Sequence, residues 1–276
     1  MEELKIRGYV TPDDIEAGRS DTEKLQKALY LSAGEDIGKV IVDRDLVIEE
    51  TVKIPAGTEL KFLDGVTVTG TAPGLFENEI CGNAEKASWS FEDKWIYIIS
   101  EGKASLNGNI KFWHAGNLVI EDMEINGSVS FEFCREVRME RNTVRSDGDA
   151  AVVLMRGCNN FIVQYNRFEA EKNAFAADAS LCGDGYVMGK DTDIHELIIR
   201  ENEMQAQTAL FIGASEESGV FNVQYDHTKT CGTGIVIGHE NETLDKKRYF
   251  NISATEFTGT ENEKLLNNPV RHCYFG

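Results

Sequence analysis

Apolar and polar residues alternate in short segments that return about every 24 residues along much of the chain. The aligned segments are LVIEDMEI (118–125), VRMERNTV (137–144), FIVQYNRF (161–168), LIIRENEM (197–204), FNVQYDHT (221–228) and FNISATEF (250–257). Their alternation and their abundance of Val, Ile and Phe predict β-strands. A fixed period of strand units indicates a solenoid, in which each repeat stacks on the next.

Three positions of each segment form columns that are apolar except at Thr228. The first column holds Leu118, Val137, Phe161, Leu197, Phe221 and Phe250. The second holds Ile120, Met139, Val163, Ile199, Val223 and Ile252, and the third holds Ile125, Val144, Phe168, Met204, Thr228 and Phe257. Parallel strands lie about 4.8 Å apart. The columns therefore predict a parallel β-helix with rungs of about 24 residues.

Two further columns consist of asparagine and cysteine. Asn142, Asn166 and Asn202 form the first, and Cys134, Cys158 and Cys182 form the second. Asparagine tolerates the left-handed backbone of a tight corner, and stacked amides can hydrogen-bond from rung to rung. We expect the cysteines to be inward-facing free thiols.

The start of the chain predicts a cap for the solenoid. Ser20-Asp21-Thr22-Glu23 has the form of a capping box, and the stretch after it predicts a helix over about residues 21–33. A first rung exposes apolar surface and unpaired strand edges, so it needs a cover. The helix is followed by KVIVDRDLVIEETVKIPAGTELKFL, and this order resembles the N-terminal segment of the pectin-lyase-like right-handed parallel β-helix superfamily.

The resemblance covers nearly the whole chain and rests on scaffold residues. It implies an all-β fold: a single-stranded right-handed parallel β-helix with an N-terminal α-helical cap. We expect one domain over residues 1–276, with the cap at 1–38, the rungs at 39–276 and an insertion at about 183–194. The superfamily includes polygalacturonase-type glycoside hydrolases, pectate-lyase-like enzymes and phage tail-spike depolymerases, so the resemblance implies a carbohydrate-active protein.

The formal net charge of −19 limits the classes of molecule that the protein is expected to bind. Phosphate binding needs a basic face, so nucleic acid is not expected. A polyanionic glycan is disfavoured unless a metal or a basic patch intervenes, and a neutral or weakly charged glycan is favoured. No apolar stretch approaches the roughly 18 residues of a membrane span, so no membrane partner is expected. The N-terminus does not have the form of a signal peptide. We expect a cytoplasmic protein or one released by lysis if the chain is complete, and a secreted one if it was trimmed.

Four acids are the candidate catalytic residues: Asp147, Asp149, Glu171 and Asp178. Glycoside hydrolysis needs two carboxyl groups, roughly 5 Å apart for retention or about 6.5–9.5 Å for inversion. Neighbouring rungs and alternate strand positions give spacings of about 4.8 and about 6.6 Å. Two alternatives stay open: Ser-Asp-Gly-Asp also has the composition of a turn, and a one-residue register decides whether Asp178 is buried.

Compared with the polygalacturonase-type hydrolases, the chain lacks most of the catalytic residues, including the Gly-His-Gly and Arg-Ile-Lys motifs. A second candidate acid–base pair is His239-Glu240, at the end of a predicted strand. The candidate substrate-binding residues are Trp113, His114, Arg156 and Lys172. Trp113 could stack on a sugar ring, although a packed aromatic is the alternative. A polysaccharide lyase, with Arg145, Arg156 or Lys172 as the base, is a weaker hypothesis because these residues form no basic column.

Loops between rungs often carry function in solenoids, and the insertion within CGDGYVMGKDTDIHE (182–196) is one such loop. Its Asp191-Thr192-Asp193 could hold Ca²⁺, which takes carboxylate oxygens. No other cofactor is expected, and no cysteine–histidine spacing for zinc occurs.

The segments that begin each rung are apolar on both alternating sets of positions. One set must face outward, which predicts an apolar outer stripe covered by the C-terminal segment EKLLNNPVRHCYFG or by another subunit. The sequence therefore favours a glycoside hydrolase-like enzyme with paired carboxylates. The first alternative is a non-catalytic glycan-binding or structural β-helix, with the outer stripe as a surface for homo-oligomer formation, and the second is the polysaccharide lyase.

Overall fold

Two short helical elements and one longer helix precede the first strand. The computed structural model describes residues 2–16, 19–80, 94–178, 194–213, 220–224, 226–229, 232–238, 249–253, 256–258, 262–266 and 272–275. Helix α1 spans Glu2–Arg7, a 3₁₀ turn spans Pro12–Asp14, and helix α2 spans Asp21–Gly34. The helix predicted at about 21–33 is therefore present, and so is its capping box, in which the Glu23 amide donates to the Ser20 hydroxyl at 3.2 Å.

The rest of the described chain is almost entirely parallel β-structure. The strands are β1 (Lys39–Val42), β2 (Leu46–Ile48), β3 (Val52–Ile54), β4 (Glu59–Leu63), β5 (Thr67–Asn78), β6 (Ile96–Trp113), β7 (Gly116–Asn126), β8 (Val129–Glu132), β9 (Arg135–Glu140), β10 (Thr143–Ser146), β11 (Ala150–Leu154), β12 (Asn159–Gln164), β13 (Arg167–Ala170), β14 (Asn173–Ala177), β15 (His195–Arg200), β16 (Glu203–Gln205), β17 (Thr208–Ile212), β18 (Val220–Gln224), β19 (His227–Lys229), β20 (Thr233–Ile237), β21 (Tyr249–Ser253), β22 (Glu256–Thr258), β23 (Asn262–Leu266) and β24 (His272–Phe275).

Each turn of the chain contributes one strand to each of three faces, so the sheet curls around its own core. Face A contains β1, β4, the first part of β6, the first part of β7, β9, β12, β15, β18, β21 and β24. Face B contains β2, the first part of β5, the middle of β6, the second part of β7, β10, β13, β16, β19 and β22. Face C contains β3, the ends of β5 and β6, β8, β11, β14, β17, β20 and β23.

The three apolar columns predicted from the repeat are confirmed by the strand register. On face A, Val163 pairs with Met139 on one side and with Ile199 on the other. On face B, Phe168 pairs with Val144 and with Met204. All six side chains are at most 1% exposed. The interior is thus a stack of apolar layers, and its burial provides the main driving force for folding.

The asparagine column is a buried ladder at the corner between faces A and B. The Asn142 side-chain amide donates to Asn166 Oδ1 at 3.0 Å, Asn166 donates to Asn202 Oδ1 at 3.0 Å, and Asn202 donates to Asp226 Oδ1 at 2.9 Å. The predicted rung-to-rung hydrogen bonds are confirmed, and Asp226 extends the ladder by one rung.

The predicted reason for asparagine at this corner is wrong. The residue in the left-handed conformation is the one before each ladder position: Arg141, Tyr165 and Glu201 have φ of 55°, 60° and 55°. The side chain, and not the backbone conformation, explains asparagine at this position. Its amide oxygen also accepts a hydrogen bond from a backbone amide of the preceding rung. The amide of Asn142, for example, donates to Asn166 Oδ1 at 2.9 Å.

Cys134 and Cys158 are buried free thiols on neighbouring rungs, as the cysteine column predicts. Burial raises the pKa of the Cys158 thiol to about 12, so it stays protonated and unreactive at neutral pH. Cys182, the third member of the column, lies outside the described residues.

The described parts of the C-terminal segment, within β23 and β24, do not cover the outer stripe of face C. Strand β23 pairs with β20 and β24 pairs with β21, so these residues add another rung to the stack. Within the stripe, Ala176 and Val236 are buried, with 4% and 8% of their surface exposed, whereas Val153 and Phe211 are half-buried. Cover by a second copy of the chain stays a prediction. Across the described ranges, no helix is long and apolar enough to cross a membrane.

Candidate functional site

The turns between faces B and C bring three of the four predicted acids to one exposed edge. Ser146 pairs with Ala170, and Ala150 pairs with Asn173, so the turns of the two rungs lie side by side. The turn 147–149 is one residue longer than the turn 171–172 of the next rung. Asp147, Asp149 and Glu171 lie in these turns and are exposed. The Ser-Asp-Gly-Asp segment thus contains a turn, and its candidate catalytic acids are exposed within it.

Asp147 and Glu171 line one open pocket, which we call the face B pocket. Its volume is about 410 Å³, and its other polar lining residues are Arg145, Ser146, Glu169 and Gln205. Arg145, Glu169 and Gln205 occupy the same outward position on three successive strands, β10, β13 and β16. Neighbouring rungs are about 4.8 Å apart. The pocket floor is therefore a polar row that crosses three rungs.

Arg145 is held in the pocket by two carboxylates. Its Nη1 donates to Glu124 Oε1, and its Nε donates to Glu169 Oε2 at 3.2 Å. The hydrogen bond to Glu124 raises the pKa of the Arg145 guanidinium, so Arg145 remains charged at every physiological pH. Because Glu169 also accepts from Arg167 Nε, the row is an ion-pair network that fixes the direction of its side chains.

Lys172 and Asp149 form an exposed ion pair beside the pocket. The Nζ to Oδ1 distance is 3.7 Å, and the side chains are 59% and 86% exposed. An exposed pair of this kind contributes little to stability. Both side chains are therefore free to turn toward a ligand, so Lys172 stays a candidate for substrate binding.

Asp178 is not part of this site. It follows β14 directly, is 3% exposed, and lies at the opposite end of that strand from Lys172. Five residues at about 3.3 Å each separate it from Asn173, which is roughly 16 Å. A Cβ added to Gly213 would lie 2.5 Å from Asp178 Cγ, so the carboxyl group fills the space above that glycine. The expectation that Asp178 joins Asp147 and Asp149 is wrong for this reason.

Trp113 and His114 are buried, so their predicted place on a sugar-binding surface is also wrong. They are 5% and 4% exposed. His114 has a left-handed backbone with φ 51° and stacks on Phe133 at 4.8 Å between ring centroids. Trp113 is anchored by Asn78, which exchanges two 2.8 Å hydrogen bonds with its backbone. Neither ring is therefore exposed at the corner between faces C and A.

Arg156 is half-buried at the same corner as Asp178, away from the face B pocket. Its Nε is buried and has no hydrogen-bond partner within the described part of the chain. Its role in substrate binding is therefore not supported by proximity to the paired acids.

The remaining sequence candidates lie outside the described residues: His239, Glu240 and the Asp191-Thr192-Asp193 segment for Ca²⁺. Across the residues with described positions, no cluster of three or more His, Cys, Asp or Glu side chains could hold a metal ion.

Sequence reasoning missed Glu169 and Gln205 as members of the pocket. Both stand in the outward column of Arg145, one and two rungs further on. The aligned repeat contains this signal, since each lies one residue after the third apolar column. The chemistry that the pocket offers is an open row of carboxylates, one fixed guanidinium and an amide that both donates and accepts.

Comparisons with known proteins address the fold. A comparison with curated protein sequences found no match. Among solved structures, tailspike protein 2 of bacteriophage CBA120, enzymatically active domain, is similar at 11% identity and a TM-score of 0.53; the match covers 97% of this chain and 47% of that one. This chain thus spans about half the length of that relative.

Two further solved structures are less similar. The catalytic domain of a GH87 α-1,3-glucanase in complex with nigerose has 8% identity and a TM-score of 0.42, covering 94% of this chain and 57% of that one. The A-module of the Azotobacter vinelandii mannuronan C-5 epimerase has 9% identity and a TM-score of 0.40, covering 96% and 99%. Residues 61–202 match the family described as the right handed beta helix region. With more than half of its residues inside that match, the chain belongs to the right-handed β-helix family.

Proposed function

We propose that this protein is carbohydrate-active and that the face B pocket hydrolyses a neutral or weakly charged glycan with Asp147 and Glu171 as its carboxyl pair. One observation supports the proposal above all. Two exposed carboxylates from neighbouring rungs meet in a single open pocket whose floor is a fixed polar row. This arrangement offers hydrogen bonds to sugar hydroxyl groups as well as an acid and a base.

The proposed chemistry follows from the placement of the two acids. Their backbones are about one rung, roughly 4.8 Å, apart, which suits the roughly 5 Å separation of a retaining pair. One carboxyl group protonates the glycosidic oxygen, and the other, as a carboxylate, attacks the anomeric carbon. Water then releases the sugar, with the first residue acting as the base.

The charge of the pocket favours neutral sugars. Arg145 is the cationic residue of the pocket lining, and Glu124 and Glu169 already neutralise it. The other charged lining residues, Asp147 and Glu171, are acidic. A uronate would meet this negative field of the pocket lining, so we expect its hydrolysis to be slower than that of a neutral glycan. The same pairing leaves Arg145 poorly suited as a lyase base.

The test is glycan turnover by Asp147→Asn and Glu171→Gln, measured as reducing ends released from a panel of neutral polysaccharides. Each change removes an ionisable carboxyl group at nearly constant shape, so we expect a loss of kcat of at least about 100-fold. Asp43→Asn, an exposed carboxylate outside the pocket, is the matched control and should retain wild-type turnover. Full activity in both pocket variants would reject the site.

A second candidate function is glycan binding without hydrolysis. The observation that favours it is the openness of the site: Asp147, Asp149 and Glu171 are all exposed, whereas catalytic acids commonly have pKa values shifted by burial. Binding on a glycan array, lost in Arg145→Ala and present without any turnover by the wild type, would establish this function instead.

A further inference from the structure

We propose a second sugar-binding site at the N-terminal end of the solenoid, in a pocket that we call the Trp95 pocket. It would bind a single neutral pyranose ring against the face of Trp95 and Tyr97. It is built from other rungs than the face B pocket, so neither site depends on the other.

Three successive rungs of face A build the Trp95 pocket together with the end of α2. The pocket has a volume of about 370 Å³. Its backbone is tied across the rungs: the Gly57 amide donates to the Trp95 carbonyl at 3.0 Å, and the Tyr97 amide donates to the Thr58 carbonyl at 2.9 Å. Gly57 has φ 81°, a conformation that favours glycine. The walls are therefore fixed by strand pairing, as a preformed ligand site requires.

Trp95 and Tyr97 place two stacked aromatic rings on one wall, and we call this pair the aromatic surface. Their ring centroids are 5.8 Å apart, and the ring planes differ by 26°. Trp95 is 39% exposed, which is unusual for a side chain of this size in a fold whose other described tryptophan, Trp113, is buried. An exposed ring carries an apolar face that a ligand can desolvate.

Polar groups surround this surface. Asp36 and Glu59 supply carboxylate acceptors, and Lys94 supplies a donor. Glu59 is held by Lys39, with 2.7 Å between Nζ and Oε1. Thr58 also lines the pocket, and its buried hydroxyl group has no hydrogen-bond partner among the atoms that the structure describes.

The arrangement fits a sugar ring better than an organic cation. Cation sites use aromatic rings that enclose the charge from several sides. Here the two rings stack on each other and do not enclose a common point, and Lys94 adds a positive charge to the wall. A pyranose presents an apolar face of C–H groups to such a surface and directs its hydroxyl groups outward to the carboxylates and the amine.

The experiment is titration of the wild-type protein with D-glucose, D-galactose, D-mannose and N-acetyl-D-glucosamine and with their β-linked disaccharides, followed by indole fluorescence and by ¹H–¹⁵N correlation of the indole N–H groups. We expect a saturable change in the Trp95 signal for at least one sugar. Trp95→Ala should weaken binding of that sugar severalfold to about tenfold, in line with the worth of ring stacking. Tyr165→Ala, at an exposed tyrosine that is 48% accessible, is the matched control and should leave the affinity unchanged.

Asp36→Asn provides a second variant that does not touch the aromatic surface. Asparagine tolerates the left-handed φ of 55° at this position, so the fold should be preserved while a charged acceptor is lost. We expect severalfold weaker sugar binding. The proposal is overturned if no sugar of the panel gives saturable binding, if Trp95→Ala binds as well as the wild type, or if tetramethylammonium binds and the sugars do not. Activity changes in Asp147→Asn or Glu171→Gln bear on the face B pocket alone.

Discussion

At the scale of single residues, Asn166 makes more side-chain hydrogen bonds than its size suggests. Its Oδ1 accepts from the Asn142 backbone and side chain at 2.9 and 3.0 Å. Its Nδ2 donates to the Met139 carbonyl at 3.0 Å and to Asn202 Oδ1 at 3.0 Å. The side chain is 2% exposed. Each buried partner that lost its bond would pay the desolvation cost of an unsatisfied polar group.

We therefore expect Asn166→Ala to lower the free energy of unfolding by about 3 kcal/mol or more, measured by urea denaturation. Asn126→Ala is the matched control, because Asn126 donates to Asn107 Oδ1 at 2.8 Å on the exposed surface. Water replaces that bond, so the control should lose less than about 0.5 kcal/mol. Equal losses in the two variants would show that burial of the ladder is not what makes it stabilising.

His114 ties stability to pH. Burial lowers its pKa to about 4 from an ordinary value of 6.5. Below pH 6.5 the unfolded chain binds a proton that the folded chain refuses, so stability falls as the pH drops from about 6.5 to about 4. The loss from this residue is at most about 3–4 kcal/mol, at roughly 1.4 kcal/mol for each pH unit.

The variant His114→Phe should remove this part of the pH dependence. Phe133 stacks beside it with φ 50°, so the corner already accepts phenylalanine in the left-handed conformation. Plotted against pH from 7 to 4, the unfolding free energy of the variant should have a smaller slope than that of the wild type. Parallel slopes would contradict a buried neutral His114, whatever the absolute stabilities.

At the scale of elements, α2 satisfies the strand edges of the first rung. Its side chains accept from three backbone amides: Asp21 from Val47 at 3.0 Å, Thr22 from Glu49 at 2.8 Å and Gln26 from Lys53 at 2.7 Å. Leu25 and Leu29 are completely buried against the core. The helix therefore both covers apolar surface and pairs the edge that would otherwise invite aggregation.

Leu29→Ala should lower the free energy of unfolding by about 2–5 kcal/mol, because it leaves a cavity beneath the cap. Repeats of a solenoid contact only their neighbours. We expect faster hydrogen exchange mainly in β1, β2 and β3, fading toward later rungs. Tyr30→Ala, at a 45% exposed position of the same helix, should leave exchange in these strands unchanged. A uniform increase along the chain would contradict this local coupling.

The strands could be predicted from the sequence because the same positions are apolar in every rung. A repeat of about 24 residues places Val163 and Phe168 in apolar columns, and such columns are expected to face the core. The placement of side chains at the corners could not be predicted, because it depends on the local backbone conformation. His114, with φ 51°, is buried against Phe133, and Asp178 packs against Gly213. The alternation of apolar and polar residues predicts neither placement.

At the scale of the whole molecule, the fold was predictable and the site only in part. Asp147 and Glu171 were recognised because they are acids that precede the apolar rung-start strands of consecutive rungs. Glu169 and Gln205 were missed because they are ordinary surface residues within one rung and become a site only when rungs are stacked. The Trp95 pocket was missed for the same reason, since its lining comes from three rungs and a helix.

The asparagine ladder also gives the solenoid a direction. In each step the amide N–H points toward the next rung and the carbonyl oxygen toward the previous one, so three amide dipoles align along the axis. Asp226 stands at the positive end of this row, as an anion stands at the start of a helix. A rung inserted within the ladder must bring another asparagine, because a carboxylate there could not donate onward. An aspartate can only terminate the row, so the ladder sets how the protein can be lengthened.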